Sequence, residues 1–185
     1  MAEHPPGVLV TELTGGALAS LIARRGRLDA LRAAIREHCA AELPLTPRVV
    51  RAEGASFMWA GPERWLVTAP ARLPHDLVAS LRAFTDGIAA VCDQSDSRIL
   101  LRVSGPLARE TLAKGLSLDL HPSVFTPGST AITIVAHIGC QIWQIDDTPT
   151  YVLAAPTSLV DSFCRWLAAA MAEFGGRFSG TVSAM

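Results

Sequence analysis

In FMWAGPERWLVTAP, residues 57–70, apolar residues that favour strands stand on both sides of a turn. The turn, Gly-Pro-Glu-Arg at 61–64, has the composition that joins two antiparallel strands. A Pro-punctuated segment then leads into apolar residues at helical spacing, which predict a helix over 74–85. The same order returns from IWQIDDTPTYVLAAP, residues 142–156, onward. Because hairpin, Ala-Pro and helix recur in order, the pattern predicts a duplicated unit.

Further helices and strands are predicted around the two hairpins. Apolar spacing and cap residues predict helices at 28–43, 74–85, about 104–114 with Ser104 as N-cap, and 158–174 with a capping box of Ser158 and Asp161. The apolar stripe expected on the last helix consists of Leu159, Phe163, Trp166, Ala170 and Phe174. Strands are predicted at 48–53, 56–60, 65–68, 88–92, 98–103, 130–136, 139–145 and 150–154. Helices that follow antiparallel hairpins favour an α+β fold of duplicated α-β-β-α units with mainly antiparallel sheets.

The expected organisation is a single domain, residues 1–185, built of two pseudo-repeats at about 20–92 and 93–178. Half of the residues are hydrophobic, 18% are charged, and the mean hydropathy is +0.32. Since soluble domains average about 25% charged residues, the apolar excess is expected in a dense core or on a surface that a partner covers.

Composition also bears on location. The most hydrophobic segment, 158–174, is interrupted by Asp161 and Arg165, so no membrane span is expected. The N-terminus, MAEHPP, lacks the basic start and apolar centre of a signal peptide. We therefore expect a cytoplasmic protein that works in a complex.

Several classes of ligand are disfavoured by the sequence. The formal net charge of −1 argues against a nucleic-acid partner, and the cluster Arg24, Arg25 and Arg27 is expected in a solvated loop. No Gly-rich phosphate loop follows a predicted strand, which argues against a dinucleotide site. The potential metal ligands are dispersed: Cys39, Cys92, Cys140 and Cys164, and His4, His38, His75, His121 and His137. Their dispersion predicts no metal site, and the apolar settings of the cysteines predict four free, buried thiols.

A few residues suggest chemistry, although each has a structural interpretation. Asp93 and Asp96 form a carboxylate pair that suits proton transfer, but their setting between two strands favours capping of a turn. His121 could act as a base, yet no Ser, Cys or carboxylate nearby in sequence completes a recognisable relay, which favours a loop or interface residue. Cys140 lies in a strand with no positive neighbour to lower its pKa.

The four tryptophans could stack on a flat ring such as a pteridine. They are Trp59, Trp65, Trp143 and Trp166. Two of them, Trp59 and Trp65, bracket a hairpin turn, and Trp166 lies on the expected stripe of the last helix. Packing in a core or interface is therefore the favoured interpretation.

Six short stretches from residue 57 onward carry a resemblance to a known family. They are WAGPERWLV at 59–67, DQSD at 93–96, VSGPLAR at 103–109, LAKG at 112–115, LDLHP at 118–122 and FTPG at 125–128. In order and spacing, the chain resembles the gamma subunit of heterotetrameric sarcosine oxidases over roughly two-thirds of its length, and the first 45 residues contribute little.

That family is distantly similar to the aminomethyltransferase of the glycine cleavage system, so the resemblance implies its folate-binding domain fold. In the transferase, a Gly in the second hairpin precedes an acidic pair that holds folate and assists methylene transfer. Here Gly139 precedes Cys140, Gln141, Ile142 and Trp143. No carboxylate occupies the matching position, so the strand reading Ile-Gly-Cys-Gln-Ile-Trp offers no general acid or base.

The resemblance implies a non-catalytic, structural gamma subunit of an oxidoreductase complex. The complex demethylates sarcosine oxidatively to glycine with tetrahydrofolate and oxygen. Flavin, NAD and tetrahydrofolate are expected on partner subunits, and no catalytic, cofactor-binding or metal-binding residue is expected in this chain. The expected partners are the alpha subunit first, then the beta and delta subunits, with neither nucleic acid nor membrane.

Other functions stay open at this point. The chain could be a stand-alone folate-binding or one-carbon-transfer protein, although the missing carboxylates argue against it. A sensing or scaffold domain unrelated to oxidation is the third possibility. The substrate of the complex, sarcosine or another N-methyl amine, and self-association of the isolated chain also stay open.

Overall fold

Strands make up much of the chain, and each predicted strand lies within two residues of an observed one. The computed structural model describes residues 6–183. Its strands are β1 (Leu9–Thr14), β2 (Gly16–Ala23), β3 (Val49–Ala52), β4 (Ala55–Trp59), β5 (Arg64–Pro70), β6 (Ala89–Asp93), β7 (Arg98–Ser104), β8 (Thr130–Val135), β9 (Ile138–Asp146), β10 (Thr150–Pro156) and β11 (Arg177–Ser183). Its α-helices are α1 (Leu28–Cys39), α2 (Pro74–Thr85), α3 (Ala108–Ala113) and α4 (Val160–Met171), and 3₁₀ turns at Thr157–Leu159 and Ala172–Phe174 flank α4.

One compact unit consists mainly of Thr14–Asp96. Its sheet has the order β3-β4-β5-β2-β6, and all neighbouring strands are antiparallel. The core on the helix side of this sheet contains Leu21, Leu31, Ile35, Phe57, Trp65, Val67, Leu77 and Leu81. The Trp65 indole N–H also donates a hydrogen bond to the Pro44 carbonyl, at 2.8 Å, which fixes the segment after α1.

The other compact unit combines residues 6–13 with Ser97–Val182. Its sheet has the order β11-β1-β7-β10-β9-β8, in which β7 pairs antiparallel with both β1 and β10, and β9 with both β10 and β8. The core beneath α3 and α4 contains Val10, Leu101, Val103, Leu112, Ile142, Leu153, Phe163 and Leu167. Lys114 ties the two helices together, because it binds the Ala170 carbonyl and Glu173 and lies 4.2 Å from the Phe174 ring centroid.

The two units share a strand order. In one, the meander β3-β4-β5 is continued by β2; in the other, the meander β8-β9-β10 is continued by β7. A helix precedes each meander, α1 or α3, and another follows it, α2 or α4. This order confirms the predicted α+β class with duplicated α-β-β-α units. The strands β1, β2 and β11 were not predicted from the sequence.

Three predicted helix ends are wrong. Ser104 is the last residue of β7 and donates to the Leu9 carbonyl instead of capping α3, which starts at Ala108 without a side-chain cap. The strand continues to Ser104 because its pairing with β1 and β10 does. The helix α1 stops at Cys39 because Ala40 is left-handed, with φ of 50°. The Ser158 and Asp161 capping box does not form, since Leu159 is the N-cap of α4 and no side chain bonds there.

The predicted stripe of the last helix is partly wrong. The side chains that α4 buries are Phe163, Leu167, Ala170 and Met171. Leu159 is 43% exposed, and Trp166 and Phe174 are only half-buried at the margin of the core. The flanking 3₁₀ turns have three residues per turn, which rotates the ends of the segment away from the 3.6-residue stripe.

Candidate functional site

The hairpin β9–β10 lies where the family resemblance implies the chemistry of related transferases. Among the residues after Gly139, Cys140 is 2% exposed, Gln141 3% and Trp143 7%. Cys140 belongs to the core under α3 and α4. Side chains of consecutive strand residues point to opposite faces, so both faces of β9 are buried at these positions.

Cys140 is inert as a nucleophile in this setting. Burial raises the pKa of its thiol to about 12, although the nearby Arg98 charge opposes the shift. Because the thiolate is the reactive form of cysteine, a thiol that stays protonated near neutral pH is neither a nucleophile nor a metal ligand.

Gln141 takes part in a short chain of neutral hydrogen bonds between β8 and β9. Its amide Nε2 donates to the Thr130 hydroxyl at 3.2 Å, and that hydroxyl donates to the Ile142 carbonyl at 3.0 Å. A buried chain of this kind satisfies its polar groups and fixes the pairing of the two strands. The residues do not fit the role of the acidic pair that holds folate in related transferases, because none of them carries a charge.

Asp93 occupies a structural turn. Its carboxylate accepts a hydrogen bond from the Ser95 backbone N–H at 2.9 Å. The Ser95 hydroxyl in turn accepts from the Leu18 N–H at 3.0 Å and donates to the Leu18 carbonyl at 3.3 Å. The pKa of Asp93 is lowered chiefly by the hydrogen bond from the Ser95 backbone N–H. The turn interpretation of this residue is therefore confirmed.

His121 has neighbours that sequence reasoning missed. Its Nδ1 lies 2.7 Å from the Ser123 hydroxyl and accepts from the Ser123 N–H at 3.3 Å. The Asp119 carboxylate accepts from the His121 backbone N–H, at 2.8 Å, and not from the imidazole. All three residues are exposed. Because the Asp119 carboxylate is bonded to the backbone N–H and not to the ring, it cannot orient the imidazole as a catalytic relay requires. Asp119, His121 and Ser123 therefore form a hydrogen-bonded turn.

The tryptophans serve packing. Trp65 is almost fully buried in the core of its unit, and Trp143 is buried on β9. Trp166 meets Phe163 edge-on with ring centroids 5.9 Å apart. A Cβ on Gly115 would lie 2.6 Å from the Trp166 ring, so the indole rests directly on that glycine. These contacts confirm the packing interpretation for Trp65, Trp143 and Trp166.

A cleft of about 580 Å³ lies beside edge strand β6, lined by residues that include Arg24, Arg82, Asp86 and Val91. The Arg82 guanidinium donates to the Val91 carbonyl at 2.8 Å, so its main hydrogen bond is made within the protein. Arg24 is exposed, as expected for the arginine cluster. With Asp86 in the same lining, the cleft has no clear preference for an anion.

Metal-ligating side chains do not converge in the described part of the chain. Over residues 6–183, no group of three or more His, Cys, Asp or Glu side chains is arranged to hold a metal ion. The four cysteines are free thiols, but the expectation that all of them are buried is wrong: Cys140 is buried, Cys39 and Cys164 are partly exposed, and Cys92 is exposed. His4 lies outside the described residues. In the same range no helix is long and apolar enough to cross a membrane.

Comparison with known sequences points to one family. A profile of the sarcosine oxidase, gamma subunit family matches residues 25–173. The chain is 35% identical over 146 residues to sarcosine oxidase subunit gamma of Corynebacterium sp. (strain P-1), covering 77% of this chain and 70% of the relative. It is 34% identical over 125 residues to the Arthrobacter sp. subunit of that name, covering 66% and 60%. The matches thus span 60 to 70% of these two relatives' lengths.

Solved structures share the fold. A chain of the heterotetrameric sarcosine oxidase from Corynebacterium sp. U-96, in complex with pyrrole 2-carboxylate, matches with a TM-score of 0.78 and 27% identity over 92% of this chain and 86% of that one. Aminomethyltransferase T of the glycine cleavage system from Bartonella henselae matches with a TM-score of 0.69 and 14% identity, over 94% of this chain and 48% of that one. The second likeness is one of fold, and it confirms the predicted aminomethyltransferase-like class. On the family profile and the relatives together, the chain belongs to the sarcosine oxidase gamma subunit family.

Proposed function

We propose that this chain is a non-catalytic, structural gamma subunit of a heterotetrameric sarcosine oxidase, which demethylates sarcosine oxidatively to glycine with tetrahydrofolate and oxygen. The observation that carries the proposal is the match to a chain of such an enzyme over 92% of this chain and 86% of that one. The match thus extends over most of both chains.

In this proposal the cofactors lie on partner subunits. Flavin, NAD and tetrahydrofolate would bind elsewhere in the complex, and this chain would supply no catalytic, cofactor-binding or metal-binding residue. The strand segment Gly139–Trp143 supports this placement of the cofactors. Neutral side chains occupy the positions after Gly139, and two of them, Cys140 and Gln141, are buried. The positions directly after Gly139 therefore offer neither a carboxylate nor an open surface on which a folate could lie.

The proposed partners are the alpha subunit first, then the beta and delta subunits. The chain would act as one gamma-like domain of two pseudo-repeats in the cytoplasm. Free thiols at Cys39, Cys92, Cys140 and Cys164 support a reducing compartment. An apolar content of 50% supports a large covered surface, since charged residues are depleted at the centre of an interface.

Affinity purification tests the proposal. The chain is expressed with a C-terminal tag together with the other three subunits of the source organism's enzyme, and the co-purifying chains are identified and counted by mass spectrometry. We expect all three at equal stoichiometry. Recovery of the tagged chain alone, with the other three assembled in the flow-through, would contradict the subunit role.

A further inference from the structure

The sheet edges of the protein differ in how they are protected. Unpaired strand edges invite another strand, and proteins usually block them with charge, irregular backbone or short length. The edge strand β3 has only four residues and includes Arg51. At β6 the Arg82 side chain donates to the Val91 carbonyl. At β11 Gly180 is left-handed, with φ of 60°, which interrupts the regular strand.

The edge strand β8 has none of these devices. Its sequence, Thr-Ala-Ile-Thr-Ile-Val, contains no charged residue, glycine or proline. Two of its side chains, Ile132 and Ile134, are 58% and 54% exposed and lie on the same sheet face. Large apolar side chains at an uncharged edge are the features that favour addition of a strand.

The chain's own backbone shows which groups of β8 face outward. The Ser117 N–H donates to the Ile134 carbonyl at 3.3 Å, and the Ala136 N–H donates to the Gly115 carbonyl at 2.9 Å. Residues 115–117 therefore pair antiparallel with the C-terminal end of β8. Backbone groups two residues apart on a strand face the same side. The N–H and C=O of Ile132 therefore also face outward, where β8 is the last strand of the sheet.

We infer that the open part of β8 around Ile132 is a strand-addition site, which takes an extended, uncharged apolar segment of another subunit of the complex. The inference rests on the proposed subunit role. The Ile132 N–H and C=O pair with the backbone of the incoming segment, which extends the antiparallel pairing that residues 115–117 begin on the same edge. The exposed Ile132 and Ile134 side chains select apolar residues in the segment, since a charge opposite them would lose its hydration without a partner.

A matched pair of variants at Ile132 tests the site. Ile132→Pro removes the outward N–H but no hydrogen bond to β9, since proline is tolerated on an edge strand when its nitrogen faces solvent. Ile132→Val keeps the N–H and a β-branched side chain. Both are expressed with the other three subunits, and binding of the tagged chain to them is measured. We expect Ile132→Pro to bind about tenfold more weakly or worse, the scale set by one lost hydrogen bond at an interface, and Ile132→Val to bind like wild type.

Hydrogen exchange of the wild-type protein supplies a measurement that does not depend on how the variants fold. In the isolated chain the Ile132 amide should exchange rapidly, and in the purified complex it should be protected. Unchanged exchange in the complex, or equal binding of the proline and valine variants, would overturn the strand-addition site while leaving the subunit role intact. Failure of the wild-type chain to bind the other subunits would overturn both. A β8–β8 homodimer that persists in their presence would overturn only the assignment of β8 to a segment of another subunit.

Discussion

Gly105 lies so close to Gly7 that it tolerates no side chain: a Cβ on Gly105 would lie 2.6 Å from the Gly7 carbonyl oxygen. That carbonyl accepts a hydrogen bond from the Leu107 N–H at 3.0 Å, and the Gly7 N–H donates to the Phe174 carbonyl at 3.2 Å. Gly105 also has φ of 117°, a conformation that residues with a Cβ rarely adopt. The two hydrogen bonds of Gly7 connect the segment before β1 to the start of α3 and to the 3₁₀ turn after α4.

Replacing Gly105 by alanine should therefore destabilise the protein strongly. The added methyl group both strains the backbone and pushes residue 7 away, for which we expect a loss of about 2–4 kcal/mol in the free energy of unfolding. Urea denaturation measures it. The matched control is Gly61→Ala, because Gly61 has φ of 122° but open space around it. The control should lose only the backbone contribution, about 1–3 kcal/mol. Equal losses for both variants would contradict the close packing of residues 7 and 105.

The buried face of α4, which differs from the face expected from the sequence, predicts how substitutions on this helix affect stability. Phe163 is fully buried and Leu159 is 43% exposed. Phe163→Ala should cost about 3–5 kcal/mol, as for other large buried side chains. Leu159→Ala should cost about 0.5 kcal/mol or less, the usual range for surface positions. The comparison requires only thermal or urea unfolding of the two variants, and a large loss at Leu159 would restore the stripe expected from sequence.

Thiol reactivity tests the environment of Cys140. Its pKa of about 12 leaves about one molecule in ten thousand as thiolate at pH 8. Cys92 is exposed, so an aromatic disulfide reagent should label Cys92 within minutes and Cys140 only as the protein unfolds. Labelled sites are identified by peptide mass spectrometry, with the Cys92→Ser variant as control. Rapid labelling of Cys140 in the native protein would show that the hairpin is open.

The Asp93 turn predicts a dependence of stability on pH. Hydrogen bonds from Ser95 hold the pKa of Asp93 below its usual range in the folded state. The folded state therefore gains stability from the ionised carboxylate above the unfolded pKa of about 4, and this gain is lost as the pH falls through the folded pKa. Asp93→Ala should cost about 0.5–1.5 kcal/mol at pH 7 and less near pH 2. Thermal unfolding across this range measures it, and a constant difference between variant and wild type would contradict the assignment.

Much of the fold could be predicted from local patterns. The hairpin 57–70 and the helix Pro74–Thr85 have strong signals, because turn residues separate apolar strands and Pro74 occupies the first turn of the helix. The first strands could not be predicted in the same way. In Gly16–Ala23 small and apolar residues follow one another without alternation, and five of the eight are buried, so the period that identifies a strand is missing.

Some features of the candidate site could be predicted from the sequence and others could not. The absence of a carboxylate after Gly139 is visible in the sequence, and so is the composition of the Asp93 turn. The contact between His121 and Ser123 depends on the backbone of the loop, which residue types alone do not determine. The true end of β7 depends on pairing with β1 and β10, because Ser104 has the composition of a helix cap but the partners of a strand.

The central claim is that the chain is a structural subunit whose chemistry lies on its partners. The most direct measurement is sarcosine-dependent oxygen consumption by material purified through a tag on this chain after co-expression with the other three subunits, beside the chain purified alone. We expect a yellow complex that oxidises sarcosine, and a lone chain that is colourless and inactive with sarcosine or a folate substrate. A lone chain that turns over a folate substrate by itself would contradict it.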